Sequence, residues 1–529
     1  MTGRLWSESV IGRAAAGVRN QWPRSLLCGI GEWFKAKYAA GRTRGALHRW
    51  ADAWHDARKP EPLCAAALTR LNRALYGAGT WFSRHWRVSL TRGACVKISQ
   101  PLGGTRAVGE SRAVSLLKGL GVRGLLLLMF ALYLPIDVLA RQPFMPSILG
   151  PLWHNALLLA CVAYVLYQRA ARKMPGHYTP IDAPMLLFMG VCVFLLFFNS
   201  IDLGIGLSGM RATAQYLLWF FVMSRMIRDR RDWELVFYAL ALMGAAVALH
   251  GIYQYVTAAP IPELWVTRSE MGVRSRAFSI TGSPNIMGDL MVMLMPLTVA
   301  LAYQKGLTPW RRLFWWGCAG LQGAACLVTF SRGAWLGLVV AAVVFMAIQD
   351  RRLFFALLAA AAVAIFIPDV INRLSFLMTD DFAVASQVGG RAGRQEVGFM
   401  LLRNSGYLFG MGHGRYGGAV AMQNPIVEWL TYHYLDNYYL KTLVETGIAG
   451  LTAYLALIAA TLSTLFRAAV NLRETIWRPR AAAILAAAAG VLVHCMFENI
   501  FEVPYMSAYF WGLAGMACAA VRLRTGEES

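Results

Sequence analysis

Residues 330–337 read Phe330-Ser331-Arg332-Gly333-Ala334-Trp335-Leu336-Gly337, and the apolar runs on either side, 313–330 and 334–349, decide the fold. A helix needs roughly 17–25 mostly apolar residues to cross the hydrocarbon core of a bilayer. Both runs read as spans, the second a short one, and Ser331-Arg332-Gly333 leaves almost no loop between them. An arginine at that corner stands at the membrane boundary, where a charged group needs a partner or a substrate.

Working outward, the same pattern repeats. Of 529 residues, 57 % are hydrophobic and 15 % charged, against about 25 % charged in ordinary soluble domains. The mean hydropathy is +0.47. From Val122 the sequence predicts about twelve spans, at 122–140, 151–168, 184–200, 209–226, 233–257, 286–304, 313–330, 334–349, 352–368, 438–466, 481–497 and 506–521. The expected fold is an all-α polytopic membrane protein with a large loop, 369–437, between spans nine and ten.

The chain then divides into a basic region at 1–121, a membrane domain at 122–524 and a short tail at 525–529. The net charge is +23, and residues 1–121 hold 20 Lys/Arg against 6 Asp/Glu. No RNA- or DNA-binding signature accompanies this charge, so nucleic acid is not an expected partner. Stretches such as 63–86 mix Trp, Leu and Arg in a way that suits the plane of a membrane surface. The nine cysteines form no C-x-x-C pair, and neither a disulfide framework nor a zinc site is expected.

Connecting charges set the orientation. Arg169, Arg172 and Lys173; Arg225, Arg228, Arg230 and Arg231; Lys305, Arg311 and Arg312; and Arg351 and Arg352 alternate with loops poor in Lys/Arg. Arg467, Arg473, Arg478 and Arg480, then Arg522 and Arg524, continue the series. By the positive-inside rule this side is cytoplasmic, and both termini lie on it. The loops at 258–285 and 369–437 break the trend. Although they fall on the outer face, they carry Arg268, Arg274, Arg276, Arg373, Arg391, Arg394, Arg403 and Arg415. Basic residues placed against the topology point to an anionic ligand outside. A loop of nearly 70 residues is also more often functional than connective.

Four segments resemble a known family. Arg276-Ala-Phe-Ser-Ile-Thr-Gly-Ser-Pro-Asn285 is similar to its R…G-x-x-P-N signature, and Phe330-Ser-Arg-Gly-Ala-Trp335 to its S-R-G-A-W corner. Gly389-Gly-Arg-Ala-Gly-Arg394 followed by Phe409-Gly-Met-Gly-His-Gly-Arg-Tyr416 resembles its third motif. Asp436-Asn-Tyr-Tyr-Leu-Lys-Thr-Leu-Val-Glu-Thr-Gly447 is similar to H-N-x-Y-L-x-x-L-x-E-x-G. In order and rough spacing these resemble the O-antigen ligase and polysaccharide (O-antigen) polymerase superfamily of membrane glycosyltransferases, over about residues 122–521.

The resemblance implies a GT-C-like glycosyltransferase, free of metal and cofactor, at the outer face of the bacterial cytoplasmic membrane. Its donor would be a glycan on undecaprenyl pyrophosphate. A polymerase would add it to another lipid-linked repeat, and a ligase would move it to lipid A core or protein. A flippase and a chain-length regulator would be natural partners, and a lipid-linked glycan transporter is the alternative of a different class.

Breaking a sugar–pyrophosphate bond builds negative charge on the leaving group, which arginines can stabilise. Arg332, Arg391, Arg394 and Arg276 are therefore the expected pyrophosphate-binding residues. The acceptor hydroxyl needs a base or orienting group. Where the family carries His, this chain has Asp436, so either Asp436 or His433 is expected to take that role. His413, Arg415 and Asn437 are weaker substrate-binding candidates, and no metal ligands are expected. The glycines around His413 allow tight turns near a phosphate. Glu498 and Glu502 could bind sugar hydroxyls, while His250 and His494 read as satisfied core residues.

Overall fold

The computed structural model describes residues 112–172, 178–260, 275–352, 368–379, 390–425, 434–472 and 476–527, with Gly77 and a few single positions between 355 and 387. Most of the basic region at 1–121, Arg268, Arg274 and His433 lie outside the described residues. So does most of the expected span 352–368.

Among the described residues sixteen α-helices follow one another, α1 to α16 in chain order. The first six are α1 (Arg112–Ala131), α2 (Tyr133–Ala140), α3 (Leu149–Arg172), α4 (Asp182–Asn199), α5 (Leu203–Ala214) and α6 (Leu218–Met226). Then come α7 (Arg230–Val256), α8 (Pro284–Ala302), α9 (Pro309–Leu327), α10 (Arg332–Ile348) and α11 (Pro368–Ser375). The last five are α12 (Arg391–Ser405), α13 (Ala419–Gln423), α14 (Tyr438–Asn471), α15 (Trp477–His494) and α16 (Pro504–Glu527). Local chemistry sets several starts. Asp229 caps α7 by accepting the Asp232 N–H, and Pro284 and Pro309 stand at the first turns of α8 and α9, where no amide donor is needed.

The protein is all-α and polytopic. Among the described residues six helices, α3, α4, α7, α8, α14 and α16, are long and apolar enough to cross a membrane; α1 and α2, bent by 77°, make a seventh if counted as one span. The other expected spans differ for local reasons. The span at 209–226 is interrupted by a 3-10 turn at Gln215–Leu217. The apolar α10 has 17 residues, and α9 and α15 carry Arg311, Arg312, Arg478 and Arg480 near their starts.

One end of the bundle gathers the connecting arginines. Arg123 pairs with Asp229 and Asp232, Arg225 with Asp182, and Arg480 with Glu234. Arg522 and Arg478 donate to the carbonyls of Ser224 and Ile348. Towards the other end, α10 crosses α15 at glycines: a Cβ on Gly337 would come within 2.8 Å of the Gly490 carbonyl, and one on Gly333 within 2.7 Å of the His494 ring. Small residues one turn apart allow this approach of two backbones. The crossing brings the start of α10 against the turn that follows α15.

Candidate active site

The Ser331 corner is held by its carbonyls. Phe330 has φ 53°, a left-handed conformation that a bulky side chain rarely adopts. Three neighbours hold it there. Ala277 N–H donates to Val328 at 3.0 Å, Arg276 Nε to Thr329 at 2.9 Å and Arg373 Nε to Phe330 at 3.3 Å. Arg276 is 4 % exposed and also donates from Nη2 to Asn285 Oδ1 at 3.3 Å. Its position therefore fixes the corner that starts α10, rather than presenting an open guanidinium to a ligand. Arg332 is the first residue of α10, and the Gly333 that follows it packs against His494 and Phe497.

From Asn285 the polar chain continues across the sequence. Asn285 Nδ2 donates to Glu498 Oε2 at 2.6 Å, and the Tyr434 hydroxyl to Glu498 Oε1 at 2.8 Å. Glu498 thus joins the 276–285 segment to the 434–437 segment. Burial, together with the Glu498 carboxylate it faces, pushes the Tyr434 phenol well above its usual range.

Two residues after Tyr434 comes the charged centre. Arg391 and Arg394, one turn apart at the start of α12, both reach Asp436 Oδ2, at 3.3 Å from Nε and 2.8 Å from Nη2. Asp436 is 8 % exposed while Arg391 keeps 39 % of its side chain accessible. Burial and the neighbouring Glu498 push the Asp436 carboxyl up to about 6, against the opposing pull of Arg391 and Arg394. A carboxylate poised there can exchange a proton near neutral pH.

The glycine-rich loop at 410–418 does something other than approach a phosphate. Asn199 Nδ2 donates to the carbonyls of Phe409 and Gly410, and a Cβ on Gly412 would meet the Asn199 carbonyl at 2.8 Å. Gly414 lies against Gly209 of α5. At Gly447, with φ 65°, the α14 helix breaks, and the amides of Ile448 and Ala449 turn to the carbonyls of Tyr407 and Leu408. These close approaches are to the protein's own backbone, so the glycines serve docking.

His413 goes into the same docking. It is 1 % exposed, its Nε2 lies 3.1 Å from the Cys192 carbonyl, and burial pushes the imidazole down to about 4, leaving it neutral. The amides of Ile205 and Gly204, with a smaller part from the Arg415 charge, hold the Asp202 carboxylate at the start of α5 below its usual range. Asn437 caps α14 by accepting the Leu440 N–H at 3.0 Å. His250 and His494 have partners, with Nδ1 at 3.0 Å from Ser279 Oγ and 2.8 Å from Asp289 Oδ1 respectively.

Of the expected site residues, the structure therefore unites Arg391, Arg394 and Asp436, and links them through Glu498 to Arg276. Asn285 and Tyr434 were not singled out from sequence. The first stands in the P-N signature, and the second is one of a run of tyrosines whose partner lies 64 positions away.

Residues 317–455 match the family model described as O-antigen ligase. The match takes in Arg332, Arg391, Arg394 and Asp436, while Arg276, Asn285 and Glu498 lie outside it. No curated protein matches the chain.

Proposed function

We propose that this multi-pass membrane protein, whose residues 317–455 match the O-antigen ligase family model, is a metal-independent polymerase that extends undecaprenyl-pyrophosphate-linked glycans at the outer face of the cytoplasmic membrane. The observation that carries this reading is the Arg391–Asp436–Arg394 cluster. Two guanidiniums holding one carboxylate form a site that a pyrophosphate can enter by taking the carboxylate's place, since the planar fork binds phosphate oxygens two at a time.

The exchange also prepares the base. Arg391 and Arg394 hold the Asp436 carboxyl down, whereas Glu498 and burial hold it up. Once the donor's phosphates draw the guanidiniums away, Asp436 becomes more basic and accepts the proton of the acceptor hydroxyl. That oxygen bonds to the anomeric carbon, the bond from this carbon to the pyrophosphate oxygen breaks, and polyprenyl pyrophosphate leaves on the arginines. Arg332, at the start of α10, would meet the same leaving group from the membrane side. Arg276 acts through the corner it holds.

The family's description favours a second reading, a ligase that delivers the glycan to lipid A core or protein. Asp436 in place of the family histidine favours polymerisation. Incubating purified protein in nanodiscs with a lipid-pyrophosphate-linked repeat alone separates them. A ladder of longer lipid-linked products supports the polymerase. A single transfer that appears only when lipid A core or protein is added supports the ligase, and translocation without a new glycosidic bond supports a transporter.

A further inference from the structure

Beyond the arginine–carboxylate cluster, the described residues hold a second group of buried charges. Lys441 Nζ lies 2.8 Å from Glu445 Oε2 and 2.8 Å from Glu502 Oε1, with 4 % of the lysine side chain exposed. Lys441 and Glu445 share one turn at the start of α14; Glu502 closes the 3-10 turn Ile500–Glu502 before α16. A buried ionic group of this kind often costs more than apolar residues of the same volume. Its use lies in what the remaining oxygens hold.

Each carboxylate gives its other oxygen to one loop. Glu445 Oε1 accepts the Tyr416 N–H at 3.2 Å, and Glu502 Oε2 the Ala419 N–H at 3.3 Å. Between them, the Gly417 carbonyl accepts Asn499 Nδ2 at 2.5 Å and the Leu435 N–H at 3.4 Å. The Tyr416 hydroxyl then donates to the Arg394 carbonyl at 2.6 Å. One ammonium thus fixes the loop 416–419, which touches the backbone of Arg394 on one side and that of Leu435, next to Asp436, on the other.

We propose that Lys441, Glu445, Glu502 and Tyr416 are positioning residues that set Arg394 and Asp436 at the spacing an incoming pyrophosphate requires. This rests on the pyrophosphate-binding reading of Arg391 and Arg394. Groups that must meet a ligand's charged oxygens need to be held within about 0.5 Å, which a loop achieves only when its own backbone is pinned. Tyr416 is the link that reaches Arg394.

Binding of undecaprenyl pyrophosphate, without sugar, to the full chain in nanodiscs tests it. Lys441→Met leaves the buried Glu445 and the partly buried Glu502 without their cation and risks the fold, so Tyr416→Phe is the decisive variant, with thermal midpoints measured alongside. A neutral hydrogen bond is worth about 0.5–1.5 kcal/mol net, so Tyr416→Phe should weaken binding roughly 2- to 12-fold. In an Arg394→Ala background the same change should have no further effect, because the hydroxyl acts through that arginine. Unchanged binding in Tyr416→Phe, or a loss that simply multiplies in the double variant, overturns the positioning role alone. Wild-type binding by Arg394→Ala overturns the pyrophosphate reading, and the proposal with it.

Discussion

Asp436 Oδ2 lies 2.8 Å from Arg394 Nη2, and the carboxylate is nearly buried while the arginine still reaches solvent. A pair built this way can be opened from the arginine's side. The carboxylate that stays behind then faces Glu498 with less positive charge to offset it. Donor binding and the readiness of the base become a single event.

Transfer should depend on pH through Asp436. Asp436 must be ionised to accept a proton, so transfer should fall as the pH drops through about 6. Glu498 raises the Asp436 carboxyl, so Glu498→Gln should move this acid limb to lower pH, while Arg391→Ala should move it higher. In Asp436→Asn the limb should vanish along with most activity. A pH–rate profile of the four proteins checks this.

The arginines should matter unequally to folding and to chemistry. A hydrogen bond to a charged group contributes about 1.5–3 kcal/mol, so Arg391→Ala or Arg394→Ala should each lower kcat/KM roughly 10- to 150-fold. Arg276→Ala should instead lower the thermal midpoint, because its guanidinium holds the Thr329 carbonyl and Asn285. Kinetics and thermal unfolding of the same preparations distinguish the two classes.

Crossing of α10 and α15 gives a stability prediction. A Cβ on Gly490 would approach the Gly337 carbonyl to 2.6 Å. Gly490→Val should therefore destabilise by about 1–3 kcal/mol through overpacking, read as a lower unfolding midpoint in detergent.

Lys441→Met should be the most damaging single change near the site. It leaves the buried Glu445 and the partly buried Glu502 without their shared cation, and breaking a buried ionic group in this way costs about 3–5 kcal/mol. Lys441→Met combined with Glu445→Gln and Glu502→Gln should recover much of the folded yield, measured by size-exclusion chromatography.

The all-α membrane fold was legible because a hydrocarbon core imposes its length on the sequence. The break near Gln215 and the shortness of α10 follow from packing, which periodicity does not record. At the site, Arg391 and Arg394 could be paired from their spacing of one turn, and Asp436 from standing where the resembled family carries histidine. Glu498 was visible only as an outer carboxylate, because its bond to Asn285 spans 213 positions. The glycines around His413 misled for a related reason. Positive-φ glycines mark a close approach, but the sequence does not say whether a phosphate or the protein's own backbone is approached. Here Asn199, Gly209 and Val444 occupy that space.

Turnover of a lipid-pyrophosphate-linked repeat by purified protein in EDTA, comparing wild type with Asp436→Asn and Arg394→Ala, decides whether this cluster transfers a glycan. Wild type should form new glycosidic bonds, and both variants should lose them while remaining folded. Undiminished transfer by folded Asp436→Asn and Arg394→Ala would contradict that role.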